Sequence, residues 1–336
     1  MIGSGKRMSS TVQAQLSGLH ARSEALIELT REYDRNRVPW EKVEDQLESE
    51  TTDLVKLQEK LGCEYQTDGA LGWKDQLRPV VDSISGLAES TRYSRWFDTN
   101  TFYKKPIVNG TVALAKFDSG TFVKSNLLSK DRKWKVTLPG PYTLTELSEN
   151  KHYSTQSELL REFASVLREI VLKLNSVGVK LFQLSEPSLV SWPYRETRPS
   201  TDELEQGIDA LRSVVEGVRA EFVVNTFFGD AGPIFSSLQS LPVKAVGVDL
   251  YETNWETLPQ EAREVGLLLG IVDSEESLVE QPKWLVDTAS KVQGKLSCPS
   301  IILAPNTDLK FVPRGIADSK LSSLGEAARL LQGGLS

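Results

Sequence analysis

Cysteine, histidine and long apolar runs are what this 336-residue sequence has least of. Its two cysteines, Cys63 and Cys298, lie far apart, and its two histidines, His20 and His152, stand alone. That inventory offers no structural zinc motif and no disulfide framework, and it fits a reducing compartment, the cytoplasm. No apolar run reaches the roughly 18 residues of a membrane span, and no basic stretch leads into an apolar core as a secretory signal would. Surplus positive charge is missing too. With a formal net charge of −7, no general field draws nucleic acid or an anionic membrane. The usual chemical signatures are also lacking: no P-loop, no glycine-rich dinucleotide turn after an early strand, no GxSxG elbow. Gly229-Asp230-Ala231-Gly232-Pro233 reads as a helix entry rather than a phosphate cradle.

What is present is rhythm. Residues 1–10 read as a frayed end, with Met1-Ile2 the stub of a first strand. A helical pair follows, Thr11 to about Asn36 and Trp40 to Leu61, the second closed by Gly62. Cys63 to Thr67 reads as a strand, and Gly110 to Asp131 as a strand-rich excursion before the strand Trp134 to Leu138. From Thr155 onward helices and strands alternate. The strands are Val179 to Leu184, Phe222 to Thr226, Ala245 to Leu250, Leu267 to Val272 and Ser300 to Ala304. The helices are Thr155 to Ser176, Asp202 to Val218, Pro233 to Leu238, Leu258 to Val265, Gln281 to Val292 and Lys320 to Leu331. Such alternation predicts a parallel sheet with right-handed crossovers, and the strand count predicts one domain over residues 1–336, a TIM-type (β/α)8 barrel carrying the N-terminal helical pair and the excursion.

In a barrel the residues after each strand share one rim. Here they are Asp68, Gly140-Pro141, Glu186, Asn225-Thr226, Asp249 with Tyr251, Asp273 and Asn306-Thr307, a polar group at almost every strand end. Such a ring suits a small polar ligand, and Glu186 is the first group to place in the pocket; the alternative is that these residues cap the following helices. Gln183, two residues inside the strand end, joins the candidates. Trp73, Asp75 and Arg78 come from a segment dense in ligand-binding residue types, and Trp96, Asp98, Asn100 and Tyr103 from Arg95 to Tyr103, an aromatic-rich segment without period. No catalytic nucleophile stands out.

Four segments in order, Arg95 to Tyr103, Gly140 to Leu144, Gln183 to Ser188 and Val224 to Gly229, resemble the cobalamin-independent methionine synthase family, and Leu241 to Leu250 and Leu303 to Pro313 follow in the same order. In that family two related barrels occur, and the C-terminal one binds the zinc that activates homocysteine for attack on methyltetrahydrofolate. Its metal positions read Asn225, Phe227, about Asp249, and Thr307 here, so the resemblance implies a chain without that zinc site, like the N-terminal barrel or a stand-alone relative. The Asp that pairs with the amino group of homocysteine is Ser185. The family's first strand, leading into Ile-Gly-Ser, is placed at Ile2-Gly3-Ser4. The resemblance implies a component of a homocysteine methyltransferase system that takes methyltetrahydrofolate or methylcobalamin as donor and works with a separate zinc-bearing catalytic barrel. Arg78, Lys104 and Lys105 are then cations for the donor's carboxylates, and Trp96 and Tyr103 aromatics that stack on a pterin or cover the barrel mouth. The alternatives are a self-sufficient, metal-independent enzyme like the uroporphyrinogen decarboxylase-type barrels, using Asp68, Glu186 and Asp249, or a non-catalytic scaffold.

Overall fold

The computed structural model describes residues 11–88, 92–124, 131–259, 265–296 and 298–334. Eight strands form one sheet: β1 (Thr11–Ala14), β2 (Tyr65–Gln66), β3 (Lys133–Pro139), β4 (Val179–Ser185), β5 (Glu221–Asn225), β6 (Ala245–Asp249), β7 (Gly266–Val272) and β8 (Ser300–Pro305). Their spatial order is β1-β8-β7-β6-β5-β4-β3-β2, and every neighbouring pair is parallel. This is the order of a sheet curled toward closure. Among the described residues no ladder joins β1 to β2, although the His20 N–H donates to Gly69 O at 2.9 Å just beyond both strands. The shown architecture is therefore an α/β fold with a curled eight-stranded parallel sheet.

Alternation along the strands makes two cores. One face packs on the helices; the other gathers Tyr65, Leu181, Val223, Ala245, Leu268, Ile302 and Ala304 into a separate cluster inside the curl. Strands buried on both faces explain the short unbroken apolar runs in the sequence. The flanking helices that matter below are α1 (Glu24–Asp34), α2 (Trp40–Lys60), α3 (Pro141–Glu146), α4 (Gln156–Ser176), α5 (Thr201–Val215), α6 (Pro282–Lys295) and α7 (Arg314–Gly334). Local signals set their starts. Thr155 and Ser200 cap α4 and α5, Ser200 with Glu203 in a reciprocal box, and Pro282 sits in the first turn of α6.

Two stretches depart from the sequence reading, and a third falls largely outside the described residues. The first strand is Thr11–Ala14, where a helix was expected, and α1 begins only at Glu24. Val12 and Ala14 alternate inward while Thr11 is exposed, a period of two; Leu16 and Leu19 then mimic helical spacing inside a loop. The strand stub at Met1-Ile2 and the placement of Ile2-Gly3-Ser4 lie outside the described residues, and the first strand of the sheet lies at Thr11–Ala14. The strand-rich excursion begins earlier than expected: Ile84–Ala88 pairs with Ile107–Leu114, and Tyr93–Arg95 with Phe102–Lys104 as a hairpin, while Ser119–Phe122 is a helical turn. The expected helix from Leu258 to Val265 falls largely on residues 260–264, outside the described residues.

Candidate functional site

Above the apolar layer, the inner face of the sheet turns polar at its C-terminal end. Gln183 and Asn225, both fully buried, donate side-chain N–H groups to Ser17 Oγ at 3.0 and 3.2 Å. Asn225 also reaches Asn306 O at 3.4 Å, and Asn306 Nδ2 lies 3.3 Å from both carboxylate oxygens of Asp249. Asp249 accepts the N–H groups of Phe228 at 3.2 Å and Tyr251 at 3.0 Å besides. Burial nevertheless pushes its carboxyl up to about 6. The structure thus brings four of the candidates, Gln183, Asn225, Asp249 and Asn306, into one hydrogen-bonded network.

Glu186 sits beside this network but faces elsewhere. Its two carboxylate oxygens accept the N–H groups of Tyr142 at 2.9 Å and Thr143 at 2.7 Å, the first turn of α3, and the side chain is wholly buried. Glu186 does not cap the helical turn that follows its own strand; it serves the N-terminus of α3, a helix that precedes it in the chain. Burial outweighs these bonds and raises the carboxyl to about 7. Asp68 is spent in the same manner, accepting from the N–H groups of Ala70 and Lys124 at 2.9 Å each.

Lys135 is a feature that the sequence reading missed. Register aligns it with Leu181, so it points into the curl, where its Nζ donates to Leu16 O at 2.7 Å. Burial drops its amine to about 7. Between pH 7 and the ordinary lysine value the unfolded chain holds a proton that the folded chain has released, so Lys135 contributes stability that grows as pH rises from 7 toward 10.5. A Lys135→Met variant should lose this rise, which urea midpoints at pH 7 and pH 9.5 would show; an unchanged rise would sink the assignment.

Aromatic rings span the rim. Phe97 meets Tyr194 at 5.7 Å and Phe228 at 5.4 Å, Phe228 meets Phe311 at 6.5 Å, and Trp96 meets Phe97 at 5.2 Å and Tyr103 at 5.8 Å. Phe97, in the Arg95 to Tyr103 segment, thus touches residues that follow β4 and β5, and Phe228 carries the contact on to Phe311 after β8. Both Phe97 and Phe228 hold positive φ, 47° and 67°, a strained choice for bulky residues.

Most of the other candidates line two separate cavities. Trp73, Asp75, Arg78 and Lys104, with Asp68, line a groove of about 730 Å³. Arg78 is already engaged there: its Nε lies 3.3 Å from Asp75, and its Nη2 donates to Lys104 O at 2.8 Å. Asp98, Tyr103 and Lys105 line a second cavity of about 650 Å³ beside Arg195, which Glu146 and Glu203 hold at 3.1 and 2.7 Å. Asn100 Oδ1 accepts from Arg95 Nη2 at 3.2 Å.

A third cavity, of about 580 Å³, was not legible in the sequence. Arg22, Lys74, Lys310 and Arg314 line it against a single carboxylate, Glu24, in a chain whose net charge is negative. The starts of α1 and α7 contribute Ser23-Glu24 and Arg314-Gly315 to its lining, where the Ser23 N–H donates to Glu50 at 3.2 Å and the Leu26 N–H to Ser23 Oγ at 3.0 Å. Carboxylates behind the lining offset part of this charge: Lys310 pairs with Asp308 at 3.3 Å and Arg314 with Asp318 at 2.9 Å and Glu50 at 3.3 Å, whereas burial pulls the half-buried Arg22 guanidinium below its usual pKa despite Glu50 and Asp34.

The positions matching the family's zinc ligands do not suit a metal. Phe227 has no ligating atom and both oxygens of Asp249 are engaged, while Asn225 Oδ1 and Thr307 Oγ1, without partners among the described residues, are neutral oxygens in place of the nitrogen and sulfur that zinc favours. Among the described residues no group of three or more His, Cys, Asp or Glu side chains is placed to hold a metal ion.

Comparison with known proteins accounts for the chain order of these features. The family model described as "Cobalamin-independent synthase, N-terminal domain" matches residues 86–296. The methionine synthase of Sulfolobus acidocaldarius is 25% identical over 313 residues, 91% of this chain and 88% of that protein. That of Sulfurisphaera tokodaii is 24% identical over 321 residues, covering 94% and 91%. In fold the chain is similar to a B12-independent methionine synthase from Shewanella sp. W3-18-1 in complex with selenomethionine, at a TM-score of 0.75 and 18% identity, covering 98% of this chain and 99% of that one. It is also similar to a methyltransferase from Methanosarcina mazei, at a TM-score of 0.59 and 11% identity, covering 94% and 93%. Ordered motifs, curled parallel sheet and family match agree: the chain belongs to the cobalamin-independent methionine synthase family, with the N-terminal type of domain.

Proposed function

We propose that this chain serves methyl transfer to homocysteine as the metal-free part of a two-part methionine synthase. It holds the acidic end of the methyl donor, while a separate zinc-bearing barrel activates the thiol. The observation that carries this reading is the cationic bowl of Arg22, Lys74, Lys310 and Arg314 in an acidic protein. The side chains at the family's metal positions support it from the other direction, since they supply neither thiolate nor imidazole. A (β/α)8 barrel closed between β1 and β2 is the form we assign to the sheet, supported by the His20–Gly69 bond at the open seam. Asp68, Glu186 and Asp249 are a poor acid–base set for a self-sufficient enzyme, because backbone N–H groups occupy all three.

The test is methyl transfer to homocysteine from methyltetrahydrofolate or methylcobalamin, with the chain alone and with a zinc-bearing catalytic relative. Activity confined to the mixture is expected; turnover by the chain alone would overturn the division of labour. Arg22→Gln should weaken binding of an acidic donor roughly tenfold, the scale of one charge-assisted hydrogen bond. Fluorescence titration would read it, and an unchanged affinity would remove Arg22 from the bowl's function.

A further inference from the structure

The loop between β7 and α6 holds a leucine out in solvent. Leu278 is 80% exposed, yet the backbone that carries it is braced. Lys320, a buried lysine of α7, donates its Nζ to Leu278 O and to both carboxylate oxygens of Glu280 at 3.0 Å, and Ser323 Oγ donates to Glu280 O. From the β7 side the Asp273 N–H donates to Glu280 Oε1 at 2.8 Å. A lone exposed leucine is ordinary, but one whose backbone is fixed by a buried ammonium is organised in advance for contact. Its neighbours are acidic. Glu275 and Glu276 are exposed, and with Asp98, Glu252 and Asp273 they enter no ion pair among the described residues. Burial and these four neighbouring carboxylates raise the Glu275 carboxyl above its usual range, the mark of a negative field without a compensating cation. The first half of α7 separates this acidic knob from the cationic bowl. Arg314, in its first turn, lines the bowl, and Lys320, about 9 Å further along the axis, braces the knob. Between them Gly315 and Ser319 are exposed, and nothing lies within 4 Å of a Cβ added at Gly315.

The bowl has the chemistry that the knob lacks. Ile27 and Trp73, both partly exposed, line it beside the cations, and Arg22 and Lys74 enter no ion pair among the described residues. Two complementary features side by side on one face are what a twofold axis requires. We propose that two copies of this chain pair across the first half of α7, Leu278 of each entering the cationic bowl of the other, with Glu275 and Glu276 meeting Arg22 and Lys74. The contact is isologous, so both bowls are filled and no knob is left free to extend the assembly. Gly315 and Ser319 lie at the axis, where their small side chains let the two α7 helices approach. The second copy's carboxylates take the cations that the proposed function gives to an acidic ligand, so the dimer is the ligand-free form and the two compete.

Sedimentation equilibrium of the full chain without ligand, at roughly 100 μM and low ionic strength, should give twice the monomer mass. Raising the salt to about 0.5 M should promote dissociation, because the contact is charged at its edge. Leu278→Asp and Ser319→Arg alter exposed side chains and leave the fold in place; each should weaken the dimer about tenfold or more. Lys74→Glu and Glu276→Lys should each weaken it as well, and a chain carrying both should recover it, since opposite signs again face each other. The wild-type mass tests the pairing whether or not the bowl takes a donor. A monomer under these conditions would overturn the proposal. So would a dimer that none of the four single variants weakens, because it would use another face, and a double variant that stays dissociated would remove the knob from the bowl.

Discussion

Replacing Gly140 with alanine is expected to lower the unfolding temperature by several degrees and to cost about 3–5 kcal/mol. A Cβ at this position would lie 2.2 Å from Glu186 Cδ and 2.3 Å from its Cγ and Oε1. Flexible side chains often swing away from such a contact, but Glu186 is wholly buried and bonded to two helix N–H groups. Moving it strands those donors and the carboxylate together, and each buried unsatisfied group costs about 1–3 kcal/mol. Overpacking adds about 1–3 kcal/mol where relief is partial. Gly294→Ala is the control, since nothing lies within 4 Å of its added Cβ. A thermal scan of both variants decides the matter: equal midpoints for Gly140→Ala and the wild type would mean that the Glu186 cap is expendable.

Glu186 should also give the protein an unusual pH dependence. Its carboxyl stands at about 7 in the folded chain against 4.5 ordinarily, so between these values the folded state holds a proton that the unfolded state has lost. Stability from this group is full below pH 4.5 and declines as pH rises through 7. The shift corresponds to a decline on the order of 3 kcal/mol, at about 1.4 kcal/mol per unit. Asp249, at about 6, pushes in the same direction, and burial raises Asp68 and Asp75 likewise. Urea unfolding at pH 5 and pH 8 should therefore show the wild type more stable at the lower pH. Glu186→Gln, which cannot ionise, should flatten most of that difference. A variant with the full wild-type slope would show that the carboxylate is already ionised at neutral pH, stabilised by the α3 amides more than burial penalises it.

These two predictions turn on a residue that the sequence singled out for another reason. Glu186 stood out as a carboxylate at a strand end, a position shared by ligand-binding residues and by helix caps. Sequence spacing cannot separate the two, because the N–H groups that Glu186 binds belong to Tyr142 and Thr143, more than 40 positions away. The network of Gln183, Asn225, Asp249 and Asn306 was legible for the opposite reason: each lies within or just after a strand, and parallel register brings such residues to one rim. The cationic bowl was not. Arg22 and Lys74 come from loops after the first two strands, Lys310 and Arg314 from the approach to α7, and no local pattern marks them as neighbours.

By itself the sequence determined the alternating parallel architecture, most strand positions after Lys133 and the family, because periodicity and ordered short motifs are local properties of a chain. It misplaced the first strand, where only four residues alternate before a loop with helical spacing. The tertiary structure alone decided which polar groups are already satisfied and which remain open. A hydrogen bond between distant segments is made or left unmade by packing, and packing left Glu186 committed to α3 and His20 Nδ1 bare.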